Sequence, residues 1–262
     1  HERMSSYMLK NGYIDKKVQK AFLDGVAGCI EHATFHAEMF ADAKQNQRAL
    51  CVVWMDLMNA YGSVSHMMVQ FALEWYHVPK EMAELLFNYY ERIFLQVQTD
   101  DWNSVFFHLA IGMPQGCTAS TIMFDVAFQL ILDIHAYLTQ EVELGYKLRG
   151  TDIQMVRPTY ADDIALVQST PDLGQISCDA FSRALSWTRT MKAKPSKCKS
   201  LAFRRFVKGE KQKHFVKVEP TEYSSFDPQL FVRHFDDDGV LVLVRRVDGV
   251  SDNSMLSART CN

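Results

Sequence analysis

The sequence contains little proline or glycine and no Cys-x-x-Cys pair. Its 262 residues include 7 Pro and 12 Gly, and 12% of them are aromatic. This composition excludes collagen-like and disordered chains, which are poor in aromatic residues. Six scattered cysteines in a chain of this length do not form a disulfide framework. We therefore expect a reducing intracellular compartment, nuclear or cytoplasmic.

Long apolar runs are also absent from the sequence. No stretch approaches eighteen uncharged apolar residues, which predicts that no helix spans a membrane and that no membrane is a partner. The first four residues carry charge and no apolar stretch follows them, which predicts that there is no signal peptide. Because the first residue is His and not Met, we expect a fragment of a longer protein.

The chain as a whole has no excess of positive charge. Its net charge is −3 and its pI is about 6.3, values that do not indicate general binding to nucleic acid. Residues 192–217, which we call the basic stripe, differ from the rest because they hold ten Lys or Arg and a single acid, Glu210. A local concentration of cations predicts contact with a polyanion better than the total charge does.

Hydrophobic periodicity divides most of the chain into helices and short strands. Predicted helices cover residues 16–45, 63–76, 81–95, 118–138 and 176–191, and predicted strands cover residues 50–55, 156–160, 164–167, 199–203 and 240–244. Helices that alternate with a few mostly antiparallel strands favour an α+β fold. We expect a split β-α-β sheet with helices on one face.

Three acidic residues follow or precede these strands. Asp56 comes directly after the strand at 50–55, and Asp162 and Asp163 lie at the tip of a tight hairpin. If the strands are neighbours, the carboxylates converge at one edge of the sheet and repel one another unless a divalent cation neutralises them. Mg²⁺ suits such a site, although an Asp after a strand is more often a turn or cap residue.

Four sequence motifs surround these acids. They are MDLMNAYGSVSH at 55–66, GMPQGCTAS at 112–120, YADDIAL at 160–166 and KPSKCKS at 194–200. In this order and at these separations they resemble the reverse transcriptase domain, in particular that of non-LTR (LINE-like) retroelements. The segment Gln19-Lys20-Ala21-Phe22 is similar to one that precedes the first acid in that family. The resemblance covers residues 3–204.

The resemblance implies a metal site at the acids. Asp56 and Asp162 would bind two Mg²⁺ ions, with Mn²⁺ as a substitute, and Asp163 would be the second acid of its pair. Neighbouring residues on a strand face opposite sides, so Asp163 would be a weaker ligand or a structural partner. The backbone carbonyl of Leu57 would be a further oxygen ligand.

The resemblance also implies a nucleotide-binding pocket. Tyr61 would lie beneath the incoming sugar and crowd a 2′-hydroxyl, which favours deoxynucleotides. Spacing alone favours core packing for Tyr61. Gln115 and Gly116 would line the pocket for the template base and the nucleotide, since Gln both donates and accepts and Gly permits close approach. Without the resemblance, the same segment is simply the start of a helix.

Two lysines fall in the fourth motif. The resemblance implies that Lys197 or Lys199 faces the triphosphate, where a cation offsets the charge on the leaving pyrophosphate or donates a proton to it. A run of lysines is also typical of a solvated face. The family usually has Asn where this chain has Lys194, so the local turn departs from its pattern.

As a whole, the resemblance implies a right-hand polymerase palm with partial fingers and an absent or degenerate thumb. We expect partial fingers at residues 1–49, the palm with intervening fingers helices at 50–204, and a degenerate segment at 205–262. The implied activity is that of an RNA-directed DNA polymerase acting on an RNA template, a DNA primer and dNTPs. The alternative is an inactive remnant that binds nucleic acid or protein, while an RNA-templated RNA polymerase is disfavoured by Tyr61.

Overall fold

The computed structural model describes residues 1–203 and, beyond them, three strands. Its helices are α1 (Glu2–Lys10), α2 (Ile30–Gln45), α3 (Ala60–Ser63), α4 (His66–Trp75), α5 (Lys80–Glu91), α6 (Thr118–Leu138) and α7 (Pro171–Trp187). Its strands are β1 (Leu50–Met55), β2 (Phe94–Leu95), β3 (Phe107–His108), β4 (Tyr146–Lys147), β5 (Gln154–Met155), β6 (Thr159–Tyr160), β7 (Asp163–Gln168), β8 (Lys199–Phe203), β9 (Val232–Phe235), β10 (Leu241–Val244) and β11 (Met255–Leu256).

The central sheet has the strand order β6-β7-β1-β8, and every neighbouring pair is antiparallel. Met55 of β1 lies opposite Ile164 of β7, and Trp54 lies opposite Lys199 of β8. The α+β fold with a mostly antiparallel sheet is therefore confirmed. Because β1 lies between β7 and β8, its C-terminal end adjoins both of these strands.

Both faces of β1 are buried except at Trp54, which explains the continuous apolar sequence of this strand. Cys51, Val53 and Met55 belong to the larger core, in which α7 packs on β1 and β7, α6 packs on α7, and α4 packs on α6. Leu50 and Val52 belong to a smaller core on the opposite face, together with residues of α2. The long helices α6 and α7 thus lie on one face, as expected, and α2 adds cover to the other.

Helix α6 is the centre of the larger core. Within the described part of the chain, it is the one helix that is long and apolar enough to cross a membrane. The sequence prediction did not single it out, because a few polar residues interrupt its apolar run. However, 78% of its most apolar 18-residue stretch is buried inside the fold. That burial is the environment of a core helix, which is apolar on all sides because protein surrounds it.

The predicted helix at 16–45 is wrong over its first half. The helix begins only at Ile30, because Phe22, Gly25 and Gly28 all have positive φ angles of 52°, 70° and 75° that no α-helix accommodates. Helix α7 begins at Pro171, five residues earlier than predicted, where the Thr170 side chain accepts a hydrogen bond from the Leu173 amide.

The C-terminal strand prediction at 240–244 is confirmed by β10, which pairs with β9 and β11 in an antiparallel sheet. The part of the basic stripe from residue 204 onward lies outside the described residues.

Candidate active site

The end of β1 and the start of β7 bring the predicted acids together. Asp56 follows β1 directly, and the β1–β7 register, in which Met55 faces Ile164, makes Asp56 and Asp163 the next opposed positions. Asp162 lies in the two-residue turn between β6 and β7, since Tyr160 pairs with Asp163. The predicted hairpin with acids at its tip is thus present and adjoins Asp56.

The pKa of Asp162 reflects how close this residue lies to Asp56 and Asp163. Its carboxyl is half-buried, whereas Asp163 is exposed. Burial raises the pKa of Asp162, and the negative charges of Asp163 and Asp56 raise it further. A nearby cation would stabilise the ionised form of this carboxylate, because it would offset the repulsion from the neighbouring acids.

The donor set suits a hard divalent ion in an open site. Among the described residues, no group of three His, Cys, Asp or Glu side chains is close enough to hold a metal ion, so the acids do not form a closed cage. Mg²⁺ is ordinarily bound by one or two carboxylates, with water and substrate phosphates as the other ligands. Asp56 and Asp162 fit that requirement.

The chain after β1 is held by the segment before β8. The Lys194 amide donates to the Asp56 carbonyl at 2.7 Å, and the Met58 amide donates to the Lys192 carbonyl at 2.9 Å. Alternate residues of an antiparallel strand direct their backbone groups to opposite edges, so the Leu57 carbonyl points toward the β7 side. Because Lys194 acts through its main chain, this pairing does not require the Asn that the family usually has there.

Two further residues of the fourth motif contact Asp56. The ammonium of Lys197 lies 3.6 Å from Asp56 Oδ2, and both side chains are partly exposed. The Asp56 amide donates to Cys198 Sγ at 3.5 Å, a contact that no sequence pattern indicated. Lys199 is exposed on β8, opposite Trp54. The structure therefore brings Lys197 to the acids, and the role of Lys199 stays a prediction.

Tyr61 belongs to the core and to the site at once. Its ring stacks on Phe124 of α6, with centroids 4.4 Å apart and planes 10° apart. Burial raises the pKa of the Tyr61 hydroxyl, and the negative charges of Asp125 and Asp162 raise it further. Core packing of Tyr61 is thus compatible with its predicted place beneath the incoming sugar, because the packed ring lies within electrostatic range of Asp162.

The loop before α6 is tied to the Tyr61 segment. The Met113 amide donates to the Tyr61 carbonyl and the Gly112 amide to the Val64 carbonyl, both at 2.9 Å. Gln115 and Gly116 are exposed just before the helix, where a ligand can reach them. Their contact with a template base stays a prediction.

Two glycines of this loop are expected to differ in their tolerance of alanine. Both have positive φ, +92° at Gly112 and +86° at Gly116. A Cβ at Gly112 would lie 2.8 Å from the Gly62 Cα, whereas one at Gly116 would meet nothing within 4 Å. We expect Gly116→Ala to lower the free energy of unfolding by about 1–2 kcal/mol. Gly112→Ala should cost about 1–3 kcal/mol more, because it adds a backbone clash. Urea denaturation of both variants measures the difference, and equal losses would contradict it.

The comparisons with known proteins agree with this geometry. The family described as reverse transcriptase (RNA-dependent DNA polymerase) matches residues 4–226. The chain belongs to the reverse transcriptase family. The residues that carry the four motifs all lie within that matched segment.

Curated relatives of this reverse transcriptase domain are retrotransposon polyproteins. The Pol polyprotein of the type-2 element R2DM of Drosophila melanogaster is 28% identical over 152 residues, which are 58% of this chain and 14% of that protein. The Pol polyprotein of the type-1 element R2 of Nasonia vitripennis is 24% identical over 221 residues, 84% of this chain and 20% of that protein. The domain therefore matches at most a fifth of the length of these two relatives.

Solved structures with the same fold include yeast telomerases. Apo telomerase of Candida tropicalis, truncated from its C-terminal domain, has a TM-score of 0.56 at 14% identity and covers 80% of this chain and 41% of its own. Telomerase of Candida albicans, in complex with a fragment of telomeric RNA, has a TM-score of 0.53 at 10% identity, with 83% and 36% covered. At these identities the likeness shows the fold alone.

Sequence reasoning missed two buried residues beside the site. The motifs include Gln19 only within a segment similar to one of the family, yet it is 1% exposed and bonds to the hairpin that carries Asp162. Asp125 is 1% exposed within α6, and neither of its carboxyl oxygens has a hydrogen-bond partner among the described residues. Burial raises its pKa well above the usual range. An isolated acid in an apolar helical run carries no signal that distinguishes it from a surface position.

Proposed function

We propose that this domain catalyses RNA-templated DNA synthesis, adding deoxynucleoside triphosphates to the 3′-hydroxyl of a primer. The observation that carries the proposal is the meeting of Asp56 with the Asp162 turn at one edge of the palm sheet, within the fold of the family. Reverse transcriptases generally use divalent metal ions, and we assign Asp56 and Asp162 as the residues that hold two Mg²⁺ ions, or Mn²⁺, with Asp163 in support.

Each of the other site residues has a part in this proposal. Bound Mg²⁺ would supply activation of the attacking hydroxyl and charge neutralisation on the leaving pyrophosphate. Lys197, already paired with Asp56, would turn its ammonium to the triphosphate and offset the same negative charge. The Leu57 carbonyl would add an oxygen donor, and Tyr61 would exclude nucleotides that carry a 2′-hydroxyl.

The surroundings of the site fit a template–primer substrate. Gln115, Gly116 and Lys199 are exposed and available to a base or a phosphate. We assign residues 1–49 to partial fingers, residues 50–204 to the palm with intervening fingers helices, and residues 205–262 to a degenerate C-terminal segment. We place the reaction inside the cell, in nucleus or cytoplasm, because the five cysteines of the described residues are all free thiols, as in reducing compartments.

Primer extension on poly(rA)–oligo(dT) with dTTP tests this function. We expect extension in Mg²⁺ and none when EDTA removes the divalent ions, since positioning and charge neutralisation supply most of the catalysis in phosphoryl transfer. A parallel electrophoretic shift assay measures binding of the same duplex. Binding of the duplex without extension in either Mg²⁺ or Mn²⁺ would contradict the proposal and identify a binding module that has lost catalysis.

A further inference from the structure

The turn that carries Asp162 has an unusual backbone. Ala161, the residue before it, has a φ of 53° and is only 5% exposed. Residues other than glycine seldom adopt positive φ, because their Cβ then approaches the following carbonyl oxygen. A two-residue hairpin turn with positive φ at its first position ordinarily has glycine there. The positive-φ conformation of Ala161 therefore needs support from the surrounding structure.

Gln19 supplies that support from a distant part of the chain. Its Oε1 accepts a hydrogen bond from the Ala161 amide at 2.9 Å, and its Nε2 donates to the Ala161 carbonyl at 3.4 Å. The same side chain thus bonds both backbone polar groups of the turn residue, across 142 positions of sequence. Oε1 also accepts from the Ala21 amide at 3.0 Å, which fixes the orientation of the Gln19 amide group.

The segment around Gln19 is itself attached to the hairpin. Gln19 forms a parallel bridge with Thr159, in which the Lys20 amide donates to the Thr159 carbonyl at 3.0 Å and the Thr159 amide donates to the Val18 carbonyl at 2.8 Å. The Lys20 ammonium pairs with Glu31 in the first turn of α2. Gln19 is therefore held on a fixed piece of backbone beside the turn that it bonds.

We propose that Gln19 is a positioning residue for the metal site: it holds Ala161 in its positive-φ conformation and so directs the Asp162 carboxylate. The connection is geometric, because a rotation about the backbone of Ala161 moves the residue that follows it. Without Gln19, the turn relaxes toward negative φ and the Asp162 carboxylate leaves its place near Asp56. The proposal rests on the function proposed above for Asp162, whereas the bonds to Ala161 do not depend on it.

The test compares Gln19→Ala with Gln168→Ala. Gln168 is a matched control because it is also buried, lies at the far end of β7 and accepts a hydrogen bond from a backbone amide, that of Gly145, away from the turn. Hydrogen exchange of the Ala161 amide reports its hydrogen bond to Gln19 directly. Loss of the free Mn²⁺ signal in electron paramagnetic resonance reports metal binding. In Gln19→Ala we expect about tenfold faster exchange at Ala161, as for one lost hydrogen bond.

The same variant should bind Mn²⁺ about tenfold more weakly, and primer extension should lose kcat with little change in the KM for dTTP. Gln168→Ala should leave amide exchange at Ala161, Mn²⁺ affinity and primer extension unchanged, even if it lowers the unfolding temperature as much as Gln19→Ala does. In the double variant Gln19→Ala, Ala161→Gly, we expect Mn²⁺ affinity to recover at least about threefold, because glycine adopts positive φ without support.

Three results would overturn the proposal. They are unchanged Mn²⁺ affinity in Gln19→Ala, an equal loss in Gln168→Ala, and no recovery when Ala161→Gly is added. These results would leave primer extension by the wild type intact. Conversely, a wild type that extends no primer but binds Mn²⁺ in a Gln19-dependent manner would refute the polymerase function and support the positioning role.

Discussion

Asp162→Asn is expected to lose primer extension by at least about 10³-fold while remaining folded. The loss follows because the amide cannot replace an anionic metal ligand at the hairpin tip. Asp163→Asn is the matched comparison, since Asp163 is adjacent but exposed and opens β7. We expect a smaller loss for it. Steady-state extension rates at saturating dTTP measure both, and equal losses would contradict the assignment of Asp162 as the main ligand of the pair.

The stability of Asp162→Asn should move in the opposite direction. Burial and the charges of Asp163 and Asp56 raise the pKa of Asp162 in the folded state. An acid with a raised folded pKa destabilises the fold once it ionises, so stability falls as pH rises from the ordinary aspartate range through the raised value. Asparagine removes that fall. Without divalent ions, thermal unfolding between pH 4 and 8 should therefore show a variant at least as stable as the wild type at neutral pH, and a lower unfolding temperature there would contradict this account.

Tyr61→Ala is expected to lower the preference for dTTP over UTP by about 10²-fold, the scale of discrimination that one steric feature provides. The stacked ring would no longer crowd the 2′-hydroxyl. Ratios of kcat/KM for the two nucleotides, on the same poly(rA) template, measure the change.

Tyr61→Phe is the control for this effect, because it keeps the ring that stacks on Phe124 and removes only the hydroxyl near Asp125 and Asp162. We expect it to keep the preference for dTTP. An unchanged preference in Tyr61→Ala, with only a loss of stability, would show that the ring serves core packing alone.

The elements that matched the sequence prediction are those set by local chemistry. Helix α6 has the predicted bounds, because a glycine-containing loop precedes a long apolar run, and β8 has the predicted bounds as well. The failure at residues 16–29 has a cause that the local sequence does not show. Phe22 adopts positive φ there, and a phenylalanine in the sequence gives no indication of that conformation.

For the site, the motifs identified Asp56, Asp162 and Tyr61, and the structure brings Asp56 and Tyr61 each within electrostatic range of Asp162. The bonds from Gln19 to Ala161 were not predictable, because a side chain that bonds backbone 142 positions away leaves no periodicity in the sequence. Composition and spacing report which face of an element is buried, but they do not report which distant loop that face meets.

The position of β1 between β7 and β8 sets how the site responds to insertions and deletions. Adding one residue to β1 or β7 would shift the pairing register by about 3.4 Å and turn each following side chain to the opposite face of the sheet. The acids would then no longer oppose each other, although every residue of the motifs would still be present. The β2–β3 hairpin lies outside this sheet and exposes Trp102, so changes in its length leave the register untouched. Length variation among active homologues should therefore concentrate between residues 96 and 106 and be absent between residues 160 and 163.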